Sequence, residues 1–344
     1  MLLSRFFLIN VVLNCRLTMN ILICPAHNYV MPYGIMLESL FTNNESNGIQ
    51  IYAIVNDDVT ESDKRTLDDI ALKHHSGPIR YHVISESLCD TFPSLSGSLS
   101  HISISTYYRL FAATILPRDV EKILYLDGDI IVMDSLKGLW ETNMDSIAIA
   151  GVMDVFDIAN YNRLHYPSHK GYLNAGVLLM NLDYWRKNHV EERFKDFIQN
   201  YPERIKMHDQ DILNYTFRDE KCILPLINNV LCNVFFKPEY SKYDYWNMEN
   251  EILEARKHPV ILHFAGRMKP WHKGNRHPRV KDFYYYKSRT IWANTPLTKP
   301  KLSILQQCYY FLRMILIKLH ILSSKVVNNR YIDSYNDKKD VNCI

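Results

Sequence analysis

Apolar strand-like runs alternate with helical stretches along the first part of the chain, and this alternation constrains the fold most strongly. Short apolar runs at 20–24, 51–55 and 79–84 predict buried strands. Helical spacing of apolar residues predicts helices at 31–43 and 62–74. Strand and helix in turn are typical of a sheet whose parallel strands are connected by helices. The sequence therefore predicts an α/β protein with a mostly parallel sheet flanked by helices.

The same kind of pattern continues through the middle of the chain. Apolar spacing predicts a helix at 105–116 that ends before Pro117, because proline cannot continue the helical hydrogen-bond ladder. Two strands, at 122–126 and 130–133, flank an acidic tripeptide. Further strands are expected at 147–152, 175–180 and 260–264, and further helices at 183–199 and 209–217.

Composition and charge exclude several classes of protein. The chain has 344 residues, of which 47% are hydrophobic and 22% charged, as is ordinary for a globular protein. A formal net charge of +3 is too close to neutrality to indicate a nucleic-acid partner. The seven cysteines include no Cys-x-x-Cys pair, and an odd number cannot all pair within one chain. A reduced, cytoplasmic setting is the simpler interpretation.

The two ends of the chain differ from its centre. Residues 1–18 hold an apolar run that is too short to span a bilayer, so we expect a leader, and either Met19 is the natural start or the leader is disordered. A cleaved secretory signal is the competing interpretation. Residues 299–344 are expected to form a separate C-terminal appendix. Within it, 299–329 contains five Lys and Arg residues and no Asp or Glu, around an apolar block at 308–322 that predicts a helix with a basic stripe.

An Asp-Gly-Asp tripeptide follows the predicted strand at 122–126. Because residues two apart in an extended chain point to the same side, Asp127 and Asp129 can converge on one cation, and Gly128 lets a ligand approach the backbone. Carboxylates suit Mg²⁺ or Mn²⁺ bound to a nucleotide diphosphate. A solvated turn is the alternative, but charge between two apolar runs is costly unless it is paired or faces a site.

His263 ends the predicted strand at 260–264 and would complete this metal site. An imidazole beside two carboxylates favours Mn²⁺ over Mg²⁺, and a hydrogen-bonded core histidine is the alternative. The loop that follows places Gly266, Lys269 and Lys273 beside the strand end, where N–H groups and a lysine ammonium would stabilise a departing diphosphate. An exposed basic turn is the other interpretation of the lysines.

Six short motifs lie in order along the chain. They are Asn28-Tyr29, Tyr107-Tyr108-Arg109-Leu110, Leu124-Tyr125-Leu126-Asp127-Gly128-Asp129, Asn174-Ala175-Gly176-Val177, Asp209-Gln210-Asp211, and His263-Phe264-Ala265-Gly266 with Lys269-Pro270-Trp271. Together they resemble glycosyltransferase family 8, which includes bacterial lipopolysaccharide glucosyl- and galactosyltransferases and glycogenin. The resemblance covers 20–294 and implies a GT-A domain at 19–294.

The resemblance also implies roles for individual residues. Asp127, Asp129 and His263 would ligate Mn²⁺, and Gly266 and Lys269 would contact the diphosphate. The other residues it implies at the donor are Asn28, Tyr29, Gly128, Arg109, Asp154, Asn174, Ala175, Asp209 and Gln210. Because the glutamine Gln210 stands where a double-displacement nucleophile would lie, we expect front-face attack by the acceptor hydroxyl, with the leaving phosphate taking the proton.

One position departs from the family's pattern. The family usually carries an Asp two residues before Asn28, and this chain has Ala26 there, so a carboxylate expected near the base or ribose is missing. We expect His27 or a nearby backbone group to substitute for it.

The resemblance implies retaining transfer of glucose or galactose from a UDP-sugar to a saccharide or glycolipid acceptor, in cell-surface polysaccharide or lipopolysaccharide biosynthesis. One alternative is a phosphohydrolase of the haloacid dehalogenase type, although Ile131 stands where that class has Thr or Val. Another is an inactive relative that acts as a binding protein. Residues 299–330 predict peripheral attachment to the inner face of the cell membrane, and packing on the catalytic domain or a second subunit is the alternative.

Overall fold

The strands form two sheets, and their bounds come from a computed structural model. It describes residues 18–45, 48–85, 104–154, 159–235 and 248–300, with 305, 308, 309, 311, 312, 315 and 316. The strands are β1 (Met19–Ile23), β2 (Ile49–Val55), β3 (Arg80–Val83), β4 (Lys122–Leu126), β5 (Ile130–Val132), β6 (Ile149–Met153), β7 (Leu173–Asn181), β8 (Lys221–Leu224), β9 (Val230–Leu231) and β10 (Ile261–His263).

Helices connect most of these strands. They are α1 (Val30–Asn43), α2 (Glu61–Lys73), α3 (Ala112–Ile115), α4 (Lys137–Trp140), α5 (Ala159–Leu164), α6 (Leu182–Lys187), α7 (Val190–Asn200), α8 (Asp209–Thr216), α9 (Glu249–Lys257) and α10 (Val280–Lys287). Thr60 begins α2 with a capping box, since its hydroxyl accepts from the N–H of Asp63 while the Asp63 carboxylate accepts from the N–H of Thr60.

The larger sheet has seven strands in the order β3-β2-β1-β4-β7-β6-β8. Strand β1 pairs in parallel with β2 and β4, β2 with β3, and β6 with β8. Only β7 runs against its neighbours β4 and β6 among the described strands of this sheet. The prediction of an α/β fold with a mostly parallel sheet flanked by helices is therefore confirmed.

Successive residues of a strand pack into different core layers. In β1, Ile21 and Ile23 belong to the hydrophobic cluster that includes α1, while Leu22, like Cys24 just after the strand, belongs to a second cluster that includes α7. Because both faces are buried, the strand after Asn20 is continuously apolar rather than alternating.

A smaller sheet, in the order β5-β10-β9, stands beside the first. Strand β10 runs antiparallel to β5, with His263 opposite Ile130, and parallel to β9. This pairing brings the end of β10 next to the Asp-Gly-Asp tripeptide between β4 and β5. It therefore joins two sequence segments more than a hundred residues apart.

Two predicted helices differ from the structure. The helix predicted at 183–199 is wrong as a single element: α6 ends before Asn188, and His189 takes a left-handed conformation with φ 49° that turns the chain into α7. The helix predicted at 105–116 is mostly a 3-10 helix, Ile104–Phe111, and only α3 is α-helical.

The chain after α10 returns to the first helix. Glu38 of α1 is completely buried and contacts the side chains of Lys73, His74 and Arg289. A Cβ atom on Gly34 would lie 2.2 Å from the Trp292 ring, so a larger residue there would displace that ring. These contacts connect α1, α2 and the segment that follows α10.

The two predicted end segments lie mostly outside the described residues. This holds for the leader at 1–18 and for the appendix at 299–344, and both boundaries stay predictions. Helical geometry is seen at 305, 308–309, 311–312 and 315–316, where Leu305 is 82% and Phe311 61% exposed. Within the described part of the chain, we find no helix with the length and apolar character needed to span a membrane.

Candidate active site

A cleft of about 280 Å³ opens where β1 and β4 end. In an α/β sheet, ligands bind outside the carboxyl ends of the strands. One side of the cleft, here called the charged side, consists of Asp127, Asp129, His263 and Lys269. Another part of its lining, here called the amide side, consists of Asn174 in β7 and Gln210 in α8.

The charged side brings three metal-binding side chains together. Nε2 of His263 lies 3.4 Å from Oδ1 of Asp129 and 3.9 Å from Oδ2 of Asp127. One ligand atom from each residue lies within 4.8 Å of the others. Two carboxylates and an imidazole form a donor set that suits a divalent cation with positions left for phosphate oxygens. These residues therefore fit the metal ion that the sequence predicts.

Backbone contacts hold this arrangement. The N–H of Asp127 donates to the carbonyl of Gly176 at 2.9 Å, and the N–H of Phe264 donates to the carbonyl of Asp129 at 2.9 Å. A Cβ atom on Gly176 would lie 2.3 Å from Cε1 of His263 and 2.8 Å from Oδ2 of Asp127. The glycine in the Asn174-Ala175-Gly176 motif is thus required by the close approach of the metal-binding side chains.

Asp129 is held in its ionised form. Burial alone would raise the pKa of its carboxyl, but the charges of Lys269 and His263 outweigh burial and lower that pKa below its usual range. The Lys269 ammonium contacts the Asp129 carboxylate and also donates to the carbonyl of Phe264 at 3.3 Å. Burial lowers the pKa of Lys269, and Asp129 outweighs this and raises it. The charged side therefore presents both an anion and a cation at neutral pH.

Arg109 connects the two sides of the cleft. Its guanidinium lies 3.1 Å from Asp127 and 3.3 Å from Asp209, and it stacks 3.9 Å from the centre of the Tyr125 ring. It also donates to the carbonyl of Ala175 at 2.5 Å. Burial raises the pKa of Asp209 to about 6, against the opposing effect of Arg109. Arg109 therefore fixes the positions of groups around the cleft.

Neutral amides form the amide side. Oε1 of Gln210 accepts from the N–H of Ala175 at 3.0 Å and from Nδ2 of Asn174 at 3.3 Å. Nε2 of Gln210 donates to Asp154 at 3.4 Å. Two neutral carboxamides therefore line the cleft beside Arg109 and Asp209, among the residues that the resemblance places around the donor sugar.

A buried carboxylate holds the start of α8, which carries Gln210. Asp211 accepts from the N–H groups of Lys206 and Met207 at 2.7 and 2.6 Å, and it pairs with Arg163 at 2.6 Å. Between these groups, His208 has φ 52°, a conformation that is strained for a residue with a side chain. Its ring contacts the Tyr107 hydroxyl at 2.9 Å. The contacts around α8 thus maintain a strained turn next to the cleft.

Most of the predicted residues line the cleft, but some do not. The cleft is lined by Tyr29, Arg109, Asp127, Gly128, Asp129, Asn174, Ala175, Asp209, Gln210, His263, Gly266 and Lys269. Asn28 is exposed outside it, and Asp154 is not among the lining residues but accepts a hydrogen bond from Gln210. His27, expected to replace the missing carboxylate at Ala26, instead contacts Asp63 at 2.7 Å and does not line the cleft.

Sequence reasoning missed two groups at this site. The Tyr125 hydroxyl donates to Oδ1 of Asp127 at 2.5 Å. Tyr125 lies inside a quoted motif, so its position two residues before Asp127 was an available signal. Asn229, which is completely buried, contacts both His263 and Asn174. It lies in an irregular turn before β9, where the sequence carries no pattern that marks it.

The chain is similar in sequence and in fold to several known proteins. General stress protein A of Bacillus subtilis is 24% identical over 80% of this chain and 94% of its own length. Lipopolysaccharide 1,2-glucosyltransferase of Escherichia coli is 28% identical over 79% of this chain and 78% of its own. The crystal structure of galactosyltransferase LgtC superposes with a TM-score of 0.68 at 24% identity, over 79% of this chain and 96% of that one, which shows the GT-A fold.

The family profile described as Glycosyl transferase family 8 matches residues 20–275. This stretch contains every strand described above except the first residue of β1, and all the residues that line the cleft. Since the match covers well over half of the sequence, the chain belongs to glycosyltransferase family 8.

Proposed function

We propose that this glycosyltransferase moves glucose or galactose from a UDP-sugar to a saccharide or lipid-linked acceptor with retention of anomeric configuration. The carrying observation is the convergence of Asp127, Asp129 and His263 in one cleft with Lys269 and neutral amides. The similarity to a lipopolysaccharide 1,2-glucosyltransferase supports an acceptor in cell-surface polysaccharide or lipopolysaccharide biosynthesis.

The charged side would bind the diphosphate of the donor. Asp127, Asp129 and His263 would hold Mn²⁺, which when bound neutralises the charge of a nucleotide diphosphate. Lys269 would add its ammonium, and Gly266, with φ 95°, allows the backbone of the following loop to approach the phosphates. Tyr29 packs edge-on against Trp271, with 5.6 Å between the ring centres, and would form the wall of the cleft at its nucleotide end.

The amide side would orient the sugar. In the transfer step, the bond between the anomeric carbon and the phosphate oxygen breaks, and the acceptor oxygen bonds to the same face of that carbon. The acceptor proton passes to the leaving phosphate. Gln210 is neutral and bonded to Ala175 and Asp154, so it is a poor nucleophile. Its carboxamide instead stabilises an oxocarbenium-like sugar by its position, which supports front-face attack.

A donor panel tests this proposal. The full chain is incubated with UDP-glucose, UDP-galactose or GDP-mannose, with and without Mn²⁺, and nucleotide release and product configuration are measured. We expect Mn²⁺-dependent release from one UDP-hexose and an α-linked product. A β-linked product would contradict retention. Hydrolysis of simple phosphate esters without sugar transfer would favour a phosphohydrolase, and failure to bind UDP would favour an inactive relative.

We also propose that residues 299–330 attach the enzyme to the inner face of the cell membrane. The exposed side chains of Leu305, Tyr309, Phe311 and Leu312 support this, because apolar and aromatic groups beside basic ones enter an anionic lipid interface. A chain ending at Thr298 should bind anionic vesicles more weakly than the full chain and keep its activity on a soluble acceptor. Equal binding of both chains would exclude this segment as the anchor.

A further inference from the structure

We propose that Asn229 is a positioning residue that accepts a hydrogen bond from Nδ1–H of His263 and so holds the ring with Nε2 facing Asp127 and Asp129. Asn229 is completely buried, and its side chain lies between Asn174 and His263. The inference rests on the proposed function because it assigns Nε2 as the atom that meets a metal ion. Its structural part concerns only hydrogen bonds within the protein.

The orientation of Asn174 is set by the backbone. Oδ1 of Asn174 accepts from the N–H of Gly176 at 3.0 Å, and a backbone N–H can only donate. The oxygen of this carboxamide is therefore identified without ambiguity. A second backbone donor supports this orientation of Asn174. The N–H of Ala175 donates to Oε1 of Gln210 and so identifies that atom as an oxygen. Nδ2 of Asn174 donates to the same oxygen at 3.3 Å.

The orientation of Asn229 follows from that of Asn174. Because Oδ1 of Asn174 accepts, the atom of Asn229 that meets it at 2.9 Å is the donor Nδ2. The other end of the Asn229 carboxamide is then an oxygen, and it lies 2.9 Å from Nδ1 of His263. An oxygen accepts, so Nδ1 of His263 carries a proton, and Nε2 is the ring nitrogen that faces the carboxylates.

The opposite tautomer is disfavoured by distance and burial. Nε2 lies 3.4 Å from Asp129 and 3.9 Å from Asp127, beyond the roughly 2.7–3.2 Å of a good N–H···O bond. Moving the proton to Nε2 would also place the lone pair of Nδ1 against the oxygen of Asn229. A buried acceptor would then lose its donor. Asn229 thus prepares His263 as a metal ligand before any ion binds.

The same hydrogen bonds connect the charged side with the amide side. They run from His263 through Asn229 and Asn174 to Gln210, and from there to Asp154. A change at Asn229 is therefore expected to disturb both the imidazole that faces the carboxylates and the carboxamide that faces the sugar. Asn228, the adjacent residue, is also buried, but it donates to the carbonyl of Pro225 and does not belong to this chain of hydrogen bonds.

The tautomer is measured directly in the metal-free wild-type chain. Selective ¹⁵N-histidine labelling and long-range proton–nitrogen NMR give the protonation of each ring nitrogen, and a His263→Gln variant assigns the signal. We expect a proton on Nδ1, where Asn229 accepts. A His263 ring without a proton on Nδ1 would overturn the proposal. This measurement involves neither metal nor substrate, so its result is independent of the proposed transfer reaction.

Metal affinity tests the consequence for binding. In Asn229→Leu we expect the calorimetric dissociation constant for Mn²⁺ to rise about 10- to 100-fold, as is usual when the partner of a metal-binding histidine is lost. Asn228→Leu serves as the matched control and should bind Mn²⁺ like wild type. Asn229→Asp keeps an acceptor for Nδ1 but loses the donor to Asn174, so it should restore part of the affinity. It also keeps the test decisive if Asn229→Leu does not fold.

Two outcomes separate this proposal from the proposed function. Equal Mn²⁺ affinity in Asn229→Leu and Asn228→Leu would overturn the positioning role even if the enzyme transfers hexose as proposed. Conversely, a wild-type chain with the proton on Nδ1 that binds no Mn²⁺ would contradict the proposed metal site and leave the hydrogen-bond assignment intact.

Discussion

The charged side and the amide side of the cleft use charge in opposite ways. On the charged side, Asp127 and Asp129 point into the cleft, where Lys269 and His263 lie within a few ångströms. On the amide side, the neutral Gln210 points into the cleft. The neighbouring Asp211 instead points away from it into the protein, where it is completely buried.

This difference separates carboxylates that are available for catalysis from a carboxylate that stabilises the fold. A carboxylate that faces the cleft can exchange a protein partner for a metal ion or a substrate. Asp211, by contrast, accepts from two backbone N–H groups and pairs with Arg163, and these partners are all part of the fold. Substitutions on the two sides should therefore affect different measurements.

The largest effect is expected from Asp129→Ala. Removing this carboxylate takes away a metal ligand and leaves the buried ammonium of Lys269 without its partner. The kcat/KM for UDP release should fall by about 1000-fold. Asp145→Ala, which changes an exposed carboxylate, is the control and should keep wild-type activity. Full metal-dependent turnover by Asp129→Ala would show that the charge does not serve the chemistry.

Asp211→Ala should act on stability instead. It breaks a buried ion pair, removes the counter-charge of Arg163, and leaves two N–H groups and the Tyr172 hydroxyl without their acceptor. This should reduce the free energy of unfolding by about 3 kcal/mol. Urea denaturation of the full chain measures this. Asp219→Ala breaks a solvent-exposed pair with Lys170 and should change stability by less than about 1 kcal/mol. If Asp211→Ala and Asp219→Ala lost equal stability, the buried contacts of Asp211 would contribute no more to folding than an exposed ion pair.

Gln210→Ala should separate sugar orientation from metal binding. Loss of the carboxamide removes a preorganised group next to the sugar, so kcat should fall by about 100-fold. The charged side keeps its ligands, so the Mn²⁺ concentration that gives half-maximal activity should stay at the wild-type value. A parallel loss of Mn²⁺ affinity would mean that the two sides of the cleft do not act separately.

The smallest effect is expected from Asp209. Burial raises the pKa of its carboxyl to about 6. Because this value exceeds the unfolded value of about 4, the folded chain holds the proton more tightly. Wild type should therefore lose about 2 kcal/mol of stability relative to Asp209→Asn as the pH rises from about 4 to about 6. Denaturation curves of both chains over this range measure the difference. A constant difference would show that Asp209 titrates at its ordinary pKa.

Part of this structure could be predicted because its physical cause is local. Strands buried on both faces, such as β1 and β4, are apolar apart from Asn20 and Lys122, and this pattern predicts them. The pair Asp127 and Asp129 was found because their spacing and the apolar runs around them lie in one short segment. The break between α6 and α7 was missed because helical periodicity continues through the left-handed residue His189.

Other features depend on contacts that no local pattern records. Strand β9 has only two residues and exists because β10 pairs with it. Asn229 stands near the charged side because the chain folds back there, and the type of residue alone gives no indication of that position. The exposed position of Asn28 and the contact of His27 with Asp63 were likewise set by the turn after β1 and by the capping of α2.

Calorimetric titration of UDP into the full chain, with and without Mn²⁺, tests most directly whether Asp127, Asp129 and His263 hold an ion that binds the diphosphate. We expect UDP to bind much more tightly when Mn²⁺ is present, and we expect His263→Ala to remove that increase. Equal affinity for UDP in the presence and absence of Mn²⁺ would contradict the proposed metal site.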